Sequence, residues 1–459
     1  MFDLLIEGGQ VVLPGSVIEA DIAIAGEAIG AIGKPGVLGP ARRRISAHGL
    51  YVLPGGIDPH VHLRWPPAPD TPPGLQSGTV AAAFGGTTTV IDFTIQGPAE
   101  SFQEAAARRL AQAQGHMAVD YGLHLLVTRV TPETLGEIRE IVHGGITSFK
   151  LMTAYRNLGW MVDDGALSAV MVEAARCGAL AGLHAENEAL ALYITKDLLD
   201  RGHTGVEYYE AGRPSLVEGE AVQRAIYLAR KAGAAIYFFH ISSEEGLEAV
   251  RAAQRSGQTV YAETCPHYLT FTDEVYRRPE GRLFTVIPPI RKETHRLSLW
   301  QALEDGTLSC IGSDDAVRTV AEKQQGDSFD QIPMGLPGIG TRLPILDSEG
   351  VARGRLPITR LADLLATGPA RIFGLYPKKG VIAPGSDADL VLLDPAVRRT
   401  IRLADLHLPN DYTIYEGWEV EGRPVMTILR GNVIVENGQL VDQTPRGRFQ
   451  PRAPFPTCA

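Results

Sequence analysis

Cysteine is scarce in this chain. Its 459 residues hold four, at positions 177, 265, 310 and 458, with no C-x-x-C pair among them. Such scattered thiols argue against a disulfide framework and fit a reducing compartment. Long Lys/Arg runs are missing too, and the formal net charge is −10 with a pI near 5.7. That balance argues against nucleic acid or an anionic membrane surface as the main partner. No apolar run approaches the ~20 residues needed to span a bilayer. The opening MFDLLIEGGQ has neither a basic region nor a long apolar one, so no signal peptide is expected. No tract is of low complexity, and no Gly-x-Gly-x-x-Gly follows an early strand. A cytoplasmic, enzyme-sized protein is expected, long enough for more than one domain.

What the chain does have is YVLPGGIDPHVHLR, residues 51–64. An apolar run reads as a short buried strand, a Pro-Gly-Gly interruption follows, and His60 and His62 come just after it. In extended chain, residues two apart face the same way, about 6–7 Å apart. Two imidazoles so placed can converge on one metal ion. A lone His-x-His is more often incidental, so the reading rests on its partners.

Residues 1 to about 50 alternate strand-like runs with glycine turns and read as part of a small β domain. From Tyr51 the pattern becomes βα alternation. Counting the run at Tyr51, eight apolar strands are predicted; the others are 87–93, 119–128, 146–152, 179–186, 235–242, 259–265 and 308–315. Amphipathic runs such as FQEAAARRLAQAQ and EGEAVQRAIYLARKAG lie between several of them. Eight buried strands separated by helices predict an α/β fold, a closed (β/α)8 barrel, in preference to an open doubly wound sheet. The β segments at the two ends are expected to pair into one small domain. The predicted organisation is a β domain from 1–52 and 376–442, a barrel over 53–375, and a Pro/Arg-rich tail, 443–459. The tail reads either as disordered or as an arm on a neighbouring subunit.

Residues able to ligate a metal recur at the ends of these strands. His184 ends the fifth, His240 the sixth and Asp314 the eighth, while Lys150 lies inside the fourth. On a barrel they would meet at one mouth, where such folds place their chemistry. Four histidines and an aspartate suit zinc or a similar divalent ion, and are too many for one ion that keeps a position open. Two ions fit better. Lys150 demands explanation, because an ammonium is a poor ligand and a lysine in an apolar strand is costly. It is either one half of a buried salt bridge or a carbamate formed with carbon dioxide, which turns the cation into a carboxylate.

HVHL after a strand, FK, HAEN, HIS, ETCPHYL, PPIR, GSDD and KKGVIAPGSDADLVLLDP together resemble the cyclic amidohydrolases. That family includes dihydropyrimidinases and hydantoinases, allantoinases and dihydroorotases. The resemblance implies a (β/α)8 barrel with a β-sandwich domain, an assembly of two or four copies, and two zinc ions bridged by carboxylated Lys150 and a hydroxide. By match of motif, His60 and His62 hold one ion with Asp314, and His184 and His240 the other. It implies hydrolysis of a cyclic amide, with Asp314 moving the proton and Tyr155 of KLMTAY stabilising the oxyanion. The bland alternatives are a helix N-cap for Asp314 and a packed loop aromatic for Tyr155. His124 and His267 read as structural histidines.

YGLHLLVT, SFKLMTAY and GLHAEN are most similar to hydantoinases and dihydropyrimidinases, which grip the ring largely through backbone groups. Ile287 stands where those enzymes usually have serine, Pro337 where asparagine is common, and Asp315 where histidine is frequent. Proline keeps its carbonyl and lacks the N–H, leaving only the acceptor half of an imide contact. Arg64, directly after HVHL, resembles instead the dihydroorotase arginine that holds a substrate carboxylate. Trp65 and the YRNLGW segment would form an apolar wall for a ring substituent, or only a rigid loop. Some relatives have lost metal ligands and act as non-catalytic scaffolds. All six ligand positions are filled here.

Overall fold

The computed structural model describes residues 1–63, 72–408, 410–441 and 443–455. Two sheets organise it. The first collects strands from both ends of the chain: β1 (Phe2–Leu13), β2 (Ser16–Ala25), β3 (Ala28–Gly33), β4 (Ala41–Ser46) and β5 (Tyr51–Pro54). The second is wholly parallel and runs in sequence order through β6 (Gly56–Asp58), β7 (Thr87–Ile95), β8 (Asp120–Leu126), β9 (Ser148–Met152), β10 (Leu180–His184), β11 (Ile236–Phe238), β12 (Val260–Thr264) and β13 (Cys310–Ile311). Helices follow most of these strands, giving the (β/α)8 barrel expected. The terminal sheet is completed by β14 (Leu390–Thr400), β15 (Glu419–Leu429), β16 (Asn432–Glu436) and β17 (Gln439–Leu440), in the order β17-β16-β15-β14-β5-β1-β2-β3 with β4 beside β1.

One strand differs from the sequence reading. Tyr51–Pro54 pairs with β1 and antiparallel with β14, so it belongs to the terminal sheet. The first barrel strand is the three-residue β6 beyond it. The glycines between them permit the change of sheet. A Cβ on Gly55 would lie 2.2 Å from the Thr88 hydroxyl, and one on Gly56 would lie 2.9 Å from the Gly86 carbonyl. A run too short for periodicity to register thus replaces Tyr51–Leu53 in the count of eight.

The barrel's seam lies between β6 and β13, and no ladder among the described residues spans it. Asp314 N–H donates to the His60 carbonyl at 2.9 Å, and His62 N–H to the Asp315 carbonyl at 2.7 Å. The buried guanidinium of Arg342 donates to the Ile57 and Ile311 carbonyls at 3.0 and 2.8 Å. Closing the barrel therefore brings the His-x-His segment against Asp314. Inside, Ile57, Ile91, Phe93, Tyr237, Phe239 and Phe373 fill the lower barrel, while the opposite strand faces pack on the helices.

The tail also differs from expectation. Its described part, residues 443–455, lies across the N-terminal end of its own barrel, with Gln450 N–H donating to Tyr121 O at 2.8 Å, Arg452 N–H to Gly145 O at 3.1 Å and Phe455 N–H to Gly178 O at 2.7 Å. Arg452 is buried there and donates to the Leu123 carbonyl. Backbone bonds to the lower rim of the barrel, rather than any periodicity, hold this segment.

One buried carboxylate yields a pH-dependent stability. Asp347 packs against Gly422 of β15, and burial first, then Glu421, pushes its pKa up to about 7. A carboxylate raised on folding is more readily ionised when unfolded, so its contribution is lost as pH rises from about 4 to about 7. Chemical denaturation should show Asp347→Asn gaining roughly 2–4 kcal/mol over the native chain at pH 8 and little at pH 4. An equal difference at both pH values would contradict this.

Candidate metal centre

The C-terminal ends of the strands gather the predicted ligands. His60 Nε2 and His62 Nε2 lie 3.2 Å apart, and Asp314 Oδ1 lies 3.0 Å from the first and 3.3 Å from the second. Three ligand atoms converging on one point form a candidate cation site. Across the mouth, His184 Nδ1 and His240 Nε2 converge at 2.9 Å. The His60 and His240 ring centroids are 5.3 Å apart, so the two groups are neighbours. All five residues are buried.

Lys150 stands on β9 beneath them, 1% exposed. Its Nζ lies 3.5 Å from the Phe239 ring centroid and 5.3 Å from that of Phe93. Among the described residues no carboxylate lies within ion-pair distance of it, although the charges of Asp314 and Glu263 act on it. Burial lowers its pKa to about 7, so much of the amine is neutral near physiological pH. The donor set fits divalent metal: nitrogen and oxygen atoms, converging, with an amine beside them in the form that reacts with carbon dioxide.

Electrostatics sort the imidazoles. Burial lowers His62 to about 3 and lowers His184 and His240 as well, leaving neutral rings of the kind a metal needs. His60 differs: burial opposes its charge, but Asp314 and Glu263 outweigh it and hold its pKa above the ordinary value. Asp314 is held well below the usual carboxylate range, burial being overcome by His60, His62 and His240.

Three site residues take left-handed backbone without being glycine: Tyr155 (φ 69°), His240 (φ 42°) and Asp314 (φ 52°). Such conformations cost on the order of 1 kcal/mol each and persist where surrounding structure over-determines them. Asp314 is no helix cap, since the chain after it pairs through Asp315 with Val61 and Leu336. Tyr155 is 7% exposed, its ring 5.0 Å from that of His184, and burial raises its pKa well above the usual value. It packs with Trp160, Leu126 and Met152, and Ile95, Ile287 and Met334 lie against them. Ile287 thus joins an apolar wall. Pro337 sits in a loop pinned by Asp315, whose carboxylate accepts from Gly338 and Ile339 N–H at 2.7 and 3.0 Å. Arg64 and Trp65 lie outside the described residues.

His124 is structural, one ring nitrogen on the Ser148 hydroxyl at 2.6 Å and the other on the Pro59 carbonyl at 2.9 Å. His267 is buried, its Nε2 unpartnered among the described residues. The residues that sequence reasoning missed are carboxylates behind the histidines: Glu263 on His60 Nδ1, and Glu186 on His184 Nε2 at 2.9 Å. A signal was present. Glu263 sits inside the apolar strand VYAET, a charge burial as unusual as that of Lys150.

A (β/α)8 barrel with histidines, an aspartate and a buried lysine converging at the C-terminal mouth defines a metal-dependent hydrolase class. The amidohydrolase family's sequence profile matches residues 51–434, and the chain belongs to that family. It is 40% identical to a D-hydantoinase of Geobacillus stearothermophilus over 98% of this chain and 97% of that protein. It is 33% identical to an L-hydantoinase of Paenarthrobacter aurescens, over 98% of both. Among solved structures, a dihydropyrimidinase from Brevibacillus agri superposes with a TM-score of 0.94 at 38% identity, covering 98% of this chain and 99% of that one.

Proposed function

We propose that this enzyme opens a cyclic amide ring of the dihydropyrimidine or hydantoin type by hydrolysis. The observation that carries the reading is the convergence of His60, His62 and Asp314 opposite His184 and His240, with Lys150 between them in the strand order. These residues would hold two divalent ions, zinc by the chemistry of the donors. When bound, such a pair makes a nucleophile of water near neutral pH and polarises the scissile carbonyl.

The chain's own groups do the rest. Lys150 forms an N–C bond to carbon dioxide and loses a proton, so that a carboxylate replaces an amine at the cavity floor. Asp314 takes the proton of the attacking water and passes it to the leaving ring nitrogen. Tyr155, kept protonated by burial, donates its hydroxyl to the carbonyl oxygen as negative charge builds there. Pro337 and Ile287 present backbone carbonyls to the ring imide. The wall of Tyr155, Trp160, Leu126 and Ile287 favours a ring bearing an apolar substituent.

The barrel is the catalytic unit, taken to run from Gly55 to about residue 375, with 1–54 and 376–442 as the supporting domain and 443–459 as a strap. The active form is taken as a cytoplasmic dimer or tetramer.

The test is ring opening by zinc-loaded protein on hydantoin, a 5-aryl hydantoin, dihydrouracil, allantoin and dihydroorotate. The expected result is turnover of the first three, with the 5-aryl hydantoin preferred. Preference for dihydroorotate would overturn the ring assignment and make Arg64 a carboxylate clamp.

A further inference from the structure

Each half of the metal centre has one histidine backed by a carboxylate, and the two backings are unlike. Glu263, fully buried on β12, contacts His60 Nδ1 with one oxygen, which also accepts from the His240 backbone N–H at 3.3 Å. Its other oxygen accepts from the Tyr237 hydroxyl at 2.6 Å, and that hydroxyl lies 2.9 Å from Cys310 Sγ. Both of those partners are neutral. Glu186 is equally buried, but the oxygen that meets His184 Nε2 at 2.9 Å also accepts from Arg213 Nη1 at 2.9 Å. Arg213 is held in turn, its carbonyl accepting from Arg291.

A carboxylate on the far nitrogen of an imidazole fixes which nitrogen faces the metal and makes it a stronger donor. How much stronger depends on the charge left on the carboxylate. A cation sharing the same oxygen neutralises much of it, whereas a phenol does not. The donor count points the same way. Three side-chain atoms converge at His60, His62 and Asp314, against two at His184 and His240.

We propose that Glu263 and Glu186 are positioning residues for the two halves of the centre, and that their different partners make the ions unequal, the His60/His62/Asp314 ion tight and the His184/His240 ion labile. This rests on the two-ion reading above. The labile ion, facing less basic donors, is the stronger Lewis acid of the two.

The experiment is zinc competition against a chromophoric chelator with the full-length apoprotein, reading two dissociation constants without any assay of turnover. The native chain should give constants separated by at least about tenfold. E263Q should weaken the tighter one roughly 10–100-fold and E186Q the weaker one by a similar factor, each leaving the other constant in place. If either buried substitution fails to fold, H240N serves instead, and its retained ion should keep the tight constant. Two equal constants in the native chain, unchanged constants in both glutamine variants, or a loose retained ion in H240N would overturn the inference while leaving the two-ion centre standing. A native chain that takes up no zinc would overturn both.

Discussion

Lys150→Ala is expected to fold, to bind little zinc and to lose ring opening by more than the roughly 10²–10³-fold that removal of a single transition-state donor costs. The fold should survive because the side chain makes no ion pair among the described residues and stands within a shell of Phe93 and Phe239. On the proposed two-ion reading, what the substitution removes is the group that would become a carboxylate between the two histidine pairs. Two ions held close together without that charge repel each other with nothing to offset it. Acetate or propionate, small enough to enter the vacated space, should restore part of both zinc content and turnover. Zinc analysis and a hydantoin assay on the same preparation check this. Undiminished turnover would sink the bridging role.

Asp314→Asn should lower kcat roughly 10²–10⁴-fold, the range a positioned proton carrier supplies, with a smaller effect on KM. The substitution spares the backbone, and zinc content measured beside kcat separates a lost proton carrier from a lost donor to the His60/His62 site. Asp314 sits at φ 52°, a left-handed conformation that asparagine adopts as readily as aspartate. The seam bond from its N–H to His60 O is untouched by a side-chain change. Thermal unfolding close to that of the native apoprotein, alongside the loss of kcat, separates a chemical role from a structural one. Activity within about tenfold of the native chain would return Asp314 to the backbone alone.

The candidate metal ligands that the structure brings together were the most legible part of the sequence. Histidine and aspartate at the ends of apolar strands, and a lysine inside one, break a local pattern, and that break can be read without knowing the fold. The β6 strand was not legible, because three residues just past a Pro-Gly interruption carry no periodicity and its pairing with β7 is non-local. Nor was the seam, where Asp314 and Asp315 meet the distant His60 and His62 through backbone bonds. Glu263 and Glu186 lay in motifs already noted, ETCPHYL and HAEN; the pairing of Glu263 with His60 depends on inter-strand register, and that of Glu186 with His184, two residues before it, on the local path of the chain past β10. The tail was opaque for a similar reason. Its partners are carbonyls at the lower rim of the barrel, invisible to any reading of residue type.

The most direct measurement is the initial rate of hydantoin ring opening as zinc is added stepwise to the apoprotein in bicarbonate buffer. The predicted result is a rate that depends on zinc and saturates at two ions per chain, with the steeper rise on the second. Two zinc ions bound per chain and no ring opened, on hydantoin or any other member of the panel, would contradict the account.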